Sequence, residues 1–214
     1  MAGAALWDMD GTLVDSAEFH WIAWRDTMAS EGIAISYEQF LSTFGQRNDS
    51  ILPQWLGADA SAERIQLVGD EKEELYRKLV RERGLDPLPG AVEWVERLHQ
   101  QGWLQAVASS APRANIDVVL DVIGLADGFQ AVVSAEDVAR GKPDPQVFLT
   151  AAARLNTPPS QCIVVEDAAH GVEAARHGGM RSIGVSRNGS LAADVVVRSL
   201  ADLPADAFEK LSRK

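Results

Sequence analysis

Ala4-Ala5-Leu6-Trp7-Asp8-Met9-Asp10-Gly11-Thr12 sets two carboxylates directly behind a short apolar run. Such a run reads as a strand buried on both faces, which puts Asp8 and Asp10 at its carboxyl end. Alternation sends both aspartates to one side and turns Met9 the other way. At an effective dielectric of about 20, two like charges about 4 Å apart repel by roughly 4 kcal/mol, so the pair requires a cation or a proton. An ordinary solvated turn is the plain alternative, and matching pieces elsewhere in the chain decide between the two.

Outward from this stretch, strand-like runs at 104–108, 131–134, 162–165 and 182–185 follow the first at 4–9. They alternate with helical patterns at 90–101, 113–123, 145–155 and 171–177. That rhythm predicts a parallel α/β sheet. Pro89-Gly90 opens one helix and Gly102 closes it, Pro145 suits a first turn, and Gly178-Gly179 ends another. A last edge strand is expected within 191–197, and a short helix in the tail to Lys214.

Residues 16–85 break the rhythm. Helical patterns succeed one another there, notably at 16–30 and in the amphipathic stretch 61–83, with no strand between them. They read as a helical cap inserted after the first strand, on flexible joins near Val14-Asp15 and at 85–89. The core is then formed by 1–15 and 86–214.

Composition bounds the function. With 214 residues, 46% hydrophobic and 24% charged, the chain has the makeup of a soluble globular protein of one to two domains. Lys and Arg number 20 against 31 Asp and Glu, a net charge of −11, which argues against nucleic acid or an anionic membrane as partner. A small phosphorylated metabolite remains compatible, because local donors and a metal can reverse the potential in a pocket. The single cysteine, Cys162, has apolar neighbours that favour an inert buried thiol, which suits a reducing cytoplasm. No stretch approaches the length of a membrane span, and no signal-peptide pattern is present. A cytoplasmic monomer is expected.

A second acidic pair, Glu166-Asp167, follows the apolar Ile163-Val164-Val165. In an open parallel sheet, ligands gather beyond the carboxyl ends of the strands, so both acidic pairs should face one crevice. Hard carboxylate oxygens with room for water and a phosphate describe Mg2+ rather than zinc. The plain alternative has Glu166 ending the strand and Asp167 capping the next helix. Ser109 and Ser110 end another strand, just before Arg113 and a helix start, where a hydroxyl and backbone amides can seat an anion. Gly141-Lys142-Pro143-Asp144-Pro145 brackets one lysine with conformationally restricted residues and so holds its ammonium near a fixed point.

Taken in order, these pieces resemble the four motifs of the haloacid dehalogenase superfamily, over nearly the whole chain. The first motif looks like Asp8-Met9-Asp10-Gly11-Thr12-Leu13-Val14-Asp15-Ser16, the second like Ser109, the third like Lys142 and the fourth like Glu166-Asp167. The resemblance implies a Rossmann-like α/β core with an inserted α-helical cap. It also implies that Asp8 is a nucleophile forming an aspartyl-phosphate and that Asp10 is general acid and then base. Ser109 and Lys142 would hold the phosphoryl oxygens. Mg2+ would sit on Asp8, the carbonyl of Asp10, and Asp167, with Glu166 in contact directly or through water. A carboxylate is a competent nucleophile toward phosphorus once a metal and a lysine offset its repulsion with the phosphate.

The cap is similar to those of β-phosphoglucomutases and related sugar-phosphate phosphatases. The matching residues are His20 and Trp24, the stretch Gly45-Gln46-Arg47-Asn48-Asp49-Ser50, and Lys72. Arg47 and Lys72 look like residues that seat the second phosphate of a bisphosphate. The plain alternatives are a surface or capping Arg47, a Lys72 on a solvated helix face, and tryptophans that simply pack. Ala168 departs from the usual Ser after the acidic pair, and Ser109-Ser110-Ala111-Pro112-Arg113 departs from the usual mutase loop. The leading expectation is a Mg2+-dependent phosphatase of small sugar or polyol phosphates. A β-phosphoglucomutase interconverting β-glucose 1-phosphate and glucose 6-phosphate comes second. A phospho-accepting signalling module ranks below both, because such modules lack the second aspartate and the long cap.

Overall fold

The computed structural model describes residues 3–187 and 189–212. The expectation for the core at 1–2, and for the tail at 213–214, lies outside the described residues.

Along the chain run β1 (Ala4–Trp7), α1 (Ala17–Ser30), α2 (Tyr37–Thr43), α3 (Asn48–Leu56), α4 (Ala62–Arg83) and α5 (Ala91–Gln100). These are followed by β2 (Leu104–Ala108), α6 (Arg113–Val122), β3 (Ala131–Val133), α7 (Gln146–Arg154) and β4 (Cys162–Glu166). The chain ends with α8 (Ala169–His177), β5 (Arg181–Val185), β6 (Val195–Val197) and α9 (Ala207–Ser212). All strand pairs are parallel, in the order β3-β2-β1-β4-β5-β6. No helix among the described residues is long and apolar enough to cross a membrane.

Alternation along β1 feeds two cores. Ala5 and Trp7 enter one apolar cluster with α5, α6 and α9, while Ala4 and Leu6 enter the other with α7 and α8. Trp7 is level with Val107 of β2 and Val165 of β4. The residues just beyond these three (Asp8, the Ala108-Ser109 step and Glu166) therefore emerge side by side, where the strand order reverses about β1. Cys162 is buried at the start of β4, and burial pushes its thiol up to about 11.

Most boundaries fall within one residue of the sequence pattern, and two differ by two residues. β1 stops at Trp7, because the Met9 carbonyl turns to accept the N–H groups of Leu13 and Val14. Met9 itself is buried in the core, as alternation required. α8 begins two residues early, because the Glu166 carboxylate accepts the N–H of Ala168 at 2.7 Å and sets up the turn.

The insert holds four helices, two of them shorter than periodicity alone picks out. α2 is opened by a reciprocal capping pair, Ser36 with Gln39, and α4 by the Ser61 hydroxyl. Trp24, Met28, Phe40, Ile51, Leu52 and Val68 give the insert its own apolar cluster. Its two joins, expected to be loose, are tied to each other. Val14 pairs with Pro87, and the Leu88 N–H donates to the Leu13 carbonyl at 2.8 Å.

Candidate active site

Asp8 is the first residue past β1, and its N–H still donates to the Val165 carbonyl at 3.0 Å. Lys142, its side chain 2% exposed, reaches in from the loop before α7. Its Nζ donates to Asp8 Oδ1 at 2.5 Å and to Glu166 Oε1 at 2.8 Å. The ammonium also lies 4.9 Å from the ring centre of Phe148. Glu166 is 1% exposed, with both oxygens engaged, one by Lys142 and one by the Ala168 N–H. Gly171 makes that burial possible, since a Cβ there would lie 1.7 Å from Glu166 Oε1.

Asp8, Glu166 and Asp167 each present an oxygen within 4.8 Å of the others. Burial, with Glu166 and Asp10 adding to it and Lys142 opposing, pushes the Asp8 carboxyl up to about 8. Burial followed by Glu166 and Asp8 pushes Asp167 up to about 9. Lys142 is held above the usual lysine range, its burial outweighed by Asp8 and Glu166. One lysine thus leaves negative charge uncompensated in a cluster of hard oxygens, a donor set that suits a small divalent cation. Gly11 lets the first loop close on this cluster. It has φ +85°, and a Cβ there would lie 2.1 Å from Asp167 Oδ2.

Asp10 faces the insert. Its Oδ1 accepts from the Ser16 hydroxyl and lies 3.3 Å from His20 Nε2. Burial pushes its carboxyl up, but His20, Ser16 and Lys72 bring it below the ordinary value. His20 stacks on Tyr76 at 4.0 Å between ring centres, and its Nδ1 is 2.9 Å from Lys72 Nζ. An ammonium can only donate, so Nδ1 accepts, the ring proton sits on Nε2, and Nε2–H donates to Asp10.

The structure brings most of the sequence-predicted residues together. Asp8, Asp10, His20, Trp24, Gly45, Lys72, Ser109 and Ser110 all line one cleft between insert and sheet, with about 50 Å³ of open room. Ser109 is buried, with its Oγ accepting the Ala111 N–H at 3.1 Å. Trp24 packs edge-on against Trp55, and Lys72 Nζ sits 4.8 Å from a Trp24 ring centre. Lys72 is 2% exposed, so the solvated-face alternative does not hold.

Lys142, Glu166 and Asp167 lie beyond that lining, around Asp8, and two of the predicted substrate contacts also fall outside it. The Arg47 guanidinium donates to the carbonyls of Ala135 (2.7 Å) and Val138 (2.9 Å) and pairs with Asp49, spanning from insert to core instead of pointing at substrate space. Arg113 opens α6 with its N–H on the Glu136 carboxylate and its side chain on Asp117, in an exposed pair. The implied distal-phosphate seat at Arg47 and substrate contact at Arg113 are therefore not formed in this arrangement.

Sequence reasoning missed Glu73, Tyr76 and Asn115. The signal for the first two was present: Val68, Lys72, Glu73, Tyr76, Leu79 and Val80 form the buried stripe of α4, so a Lys-Glu pair interrupts an apolar face. Asn115 carries no such mark, being one polar residue inside α6.

The family model for haloacid dehalogenase-like hydrolase matches residues 5–185. A β-phosphoglucomutase of Bacillus subtilis (strain 168) is 32% identical over 224 aligned positions, covering 97% of this chain and 94% of that protein. Hexitol phosphatase B of Escherichia coli (strain K12) is 35% identical, covering 94% of each. The crystal structure of a β-phosphoglucomutase from Clostridium difficile superposes with a TM-score of 0.88 at 29% identity, covering 100% of this chain and 98% of the other. The parallel sheet and the helical insert agree with these likenesses, and the chain belongs to the haloacid dehalogenase-like hydrolase family as a capped phosphoryl-transfer enzyme.

Proposed function

We propose that the protein is a Mg2+-dependent phosphatase of small sugar or polyol monophosphates, working through an aspartyl-phosphate on Asp8. The Asp8 oxygen attacks phosphorus, the bond to the ester oxygen breaks, and Asp10 gives its proton to the departing alcohol. Water then attacks the phosphorus, Asp10 takes the water's proton, and phosphate leaves Asp8. Lys142 and Ser109 steady the phosphoryl oxygens, Lys142 being already fixed by Glu166. Asp8 and Asp167 would hold the metal, with Glu166 behind them, and the bound cation would offset the charge of the phosphate and its nucleophile. An incoming phosphate raises the Asp10 carboxyl by like-charge repulsion and so loads its acid proton. Both donors to Asp10 converge on Oδ1, which leaves Oδ2 as the oxygen to carry that proton. The open room of about 50 Å³ admits a few waters and no sugar phosphate, so substrate enters with the cap swung away.

The observation that carries hydrolysis over phosphate return is the use of cations around the cleft. Arg47 is spent on core carbonyls. Lys72, the one Lys or Arg among the described residues lining the cleft, is paired with Glu73 at 2.8 Å. Neither is left to seat a second phosphate. A phosphomutase is the second reading, favoured by the likeness to the Bacillus subtilis enzyme.

The test supplies Mg2+, β-glucose 1-phosphate and trace glucose 1,6-bisphosphate, and follows glucose 6-phosphate against free phosphate, beside a panel of hexitol phosphates. Free phosphate from several substrates supports the phosphatase. Fast glucose 6-phosphate formation overturns it.

A further inference from the structure

Glu73 is a carboxylate on the buried stripe of α4, 4% exposed, where an apolar side chain would avoid the cost of desolvation. Its two oxygens face different parts of the molecule. Oε1 accepts from Lys72 Nζ and from Asn48 Nδ2, both at 2.8 Å and both within the cap. Oε2 accepts from Asn115 Nδ2 at 2.5 Å, across the interface, from core helix α6. Asn115 is fully buried, and its Oδ1 accepts from Arg77 of the cap at 2.9 Å, so both ends of its amide are used on the cap.

These bonds join those at Asp10 into one line. It starts in the core at Asn115, passes through the cap as Glu73, Lys72 and His20, and returns to the core at Asp10. Glu73 holds the Lys72 ammonium, the ammonium fixes the His20 tautomer, and His20 Nε2–H fixes Asp10 Oδ1.

We infer that Glu73 and Asn115 are positioning residues for the Asp10 acid, acting on it through Lys72 and His20. The inference rests on the phosphatase reading above and adds to it a dependence of one chemical step on a contact remote from phosphorus.

The test compares two esters by kcat/KM, which covers the steps through phosphoryl transfer and excludes the shared hydrolysis of the phospho-enzyme. A hexitol phosphate leaves as an alkoxide and needs the Asp10 proton, whereas 4-nitrophenyl phosphate leaves as a stable phenolate and does not. In Glu73→Gln and in Asn115→Ala, the hexitol kcat/KM falls at least tenfold further than the nitrophenyl kcat/KM. Asn115→Asp, which sets a second carboxylate against Glu73, does worse than Asn115→Ala. Should Glu73→Gln fail to fold in a thermal melt, Asn115→Ala carries the comparison, since it leaves the Glu73–Lys72 pair whole. Equal losses on the two esters, the signature of a merely structural contact, overturn the inference. Turnover that survives Asp8→Asn overturns instead the reading on which it rests.

Discussion

Lys142 Nζ lies 2.5 Å from Asp8 Oδ1 across 134 residues of sequence, which makes the loop before α7 the partner of the strand that carries the nucleophile. The same ammonium holds Glu166, so two buried carboxylates depend on one lysine. Lys142→Met leaves two carboxylates facing each other without a counter-charge. Breaking such a buried pair costs about 3–5 kcal/mol. A denaturant melt should show that loss, with turnover abolished and Mg2+ restoring part of the stability. A variant as stable as the parent would mean that Asp8 and Glu166 do not share this contact in solution.

Asp8→Asn keeps the shape and hydrogen bonds of the side chain but loses the attacking oxygen. Phosphate release should drop by about 10⁴-fold or more, as happens when an essential member of a covalent mechanism is removed. The thermal midpoint should stay the same or rise, because the crowding of Asp8 with Glu166 and Asp167 is relieved. Residual phosphate release within tenfold of the parent would remove Asp8 as nucleophile.

The acidic cluster also makes a signed prediction about pH. Asp8 and Asp167, pushed up to about 8 and about 9 when folded, titrate near about 4 when unfolded. The folded chain therefore holds protons that the unfolded chain has released. Without metal, this contribution to stability is complete below about pH 4 and is lost as pH rises toward about 9. Mg2+ displaces those protons, so its stabilising effect grows over the same interval. Melts at acidic, neutral and alkaline pH, with and without MgCl2, check both signs. A larger Mg2+ effect at acid pH would contradict the assignment.

Much of this was legible in the chain itself because strand ends and motif residues coincide. Asp8, Ser109 and Glu166-Asp167 each follow an apolar run, and a parallel sheet gathers the carboxyl ends of such runs at one edge. The cap was harder to read. α2 and α3 are short, and their ends are set by local capping at Ser36 and by the turn at Gly45 rather than by periodicity. Arg47 could not be placed from sequence, because its partners are main-chain carbonyls 88 and 91 residues away, and a carbonyl leaves no residue-type signal. Glu73 and Lys72 were readable as charges on an apolar stripe, but their partner Asn115 was not.

The tail helix α9 is small, but Phe208 anchors it. Fully buried, its ring lies 6.2 Å from Trp7, 5.3 Å from Trp94 and 5.5 Å from Trp103. Phe208→Ala should cost about 3–5 kcal/mol in a denaturant melt, the usual range for emptying an aromatic core site. Because Trp7 directly precedes Asp8, turnover should fall along with stability. A loss below about 1 kcal/mol would mean that the helix is not packed this way.

Arg47 separates two accounts of the cap. As a seat for a second phosphate, its loss would harm only reactions that use a bisphosphate. The geometry instead ties it to the segment that delivers Lys142: its guanidinium holds the Ala135 and Val138 carbonyls, and a Cβ at Gly141 would meet its Cδ at 2.8 Å. Hydrogen bonds from a charged donor contribute about 1.5–3 kcal/mol, here to the closed state over the open one. Arg47→Ala should therefore lower kcat/KM for a plain monophosphate by roughly 10–100-fold with no bisphosphate present. Arg47→Lys should recover little, because one ammonium cannot span two carbonyls and Asp49 as a planar fork does. Gly141→Ala, which pushes on the Arg47 stem, should weaken the same constant while leaving the guanidinium intact. If Arg47→Ala hydrolyses monophosphates at the parental kcat/KM, the tie across the cap is not used in catalysis and the bisphosphate account regains its place.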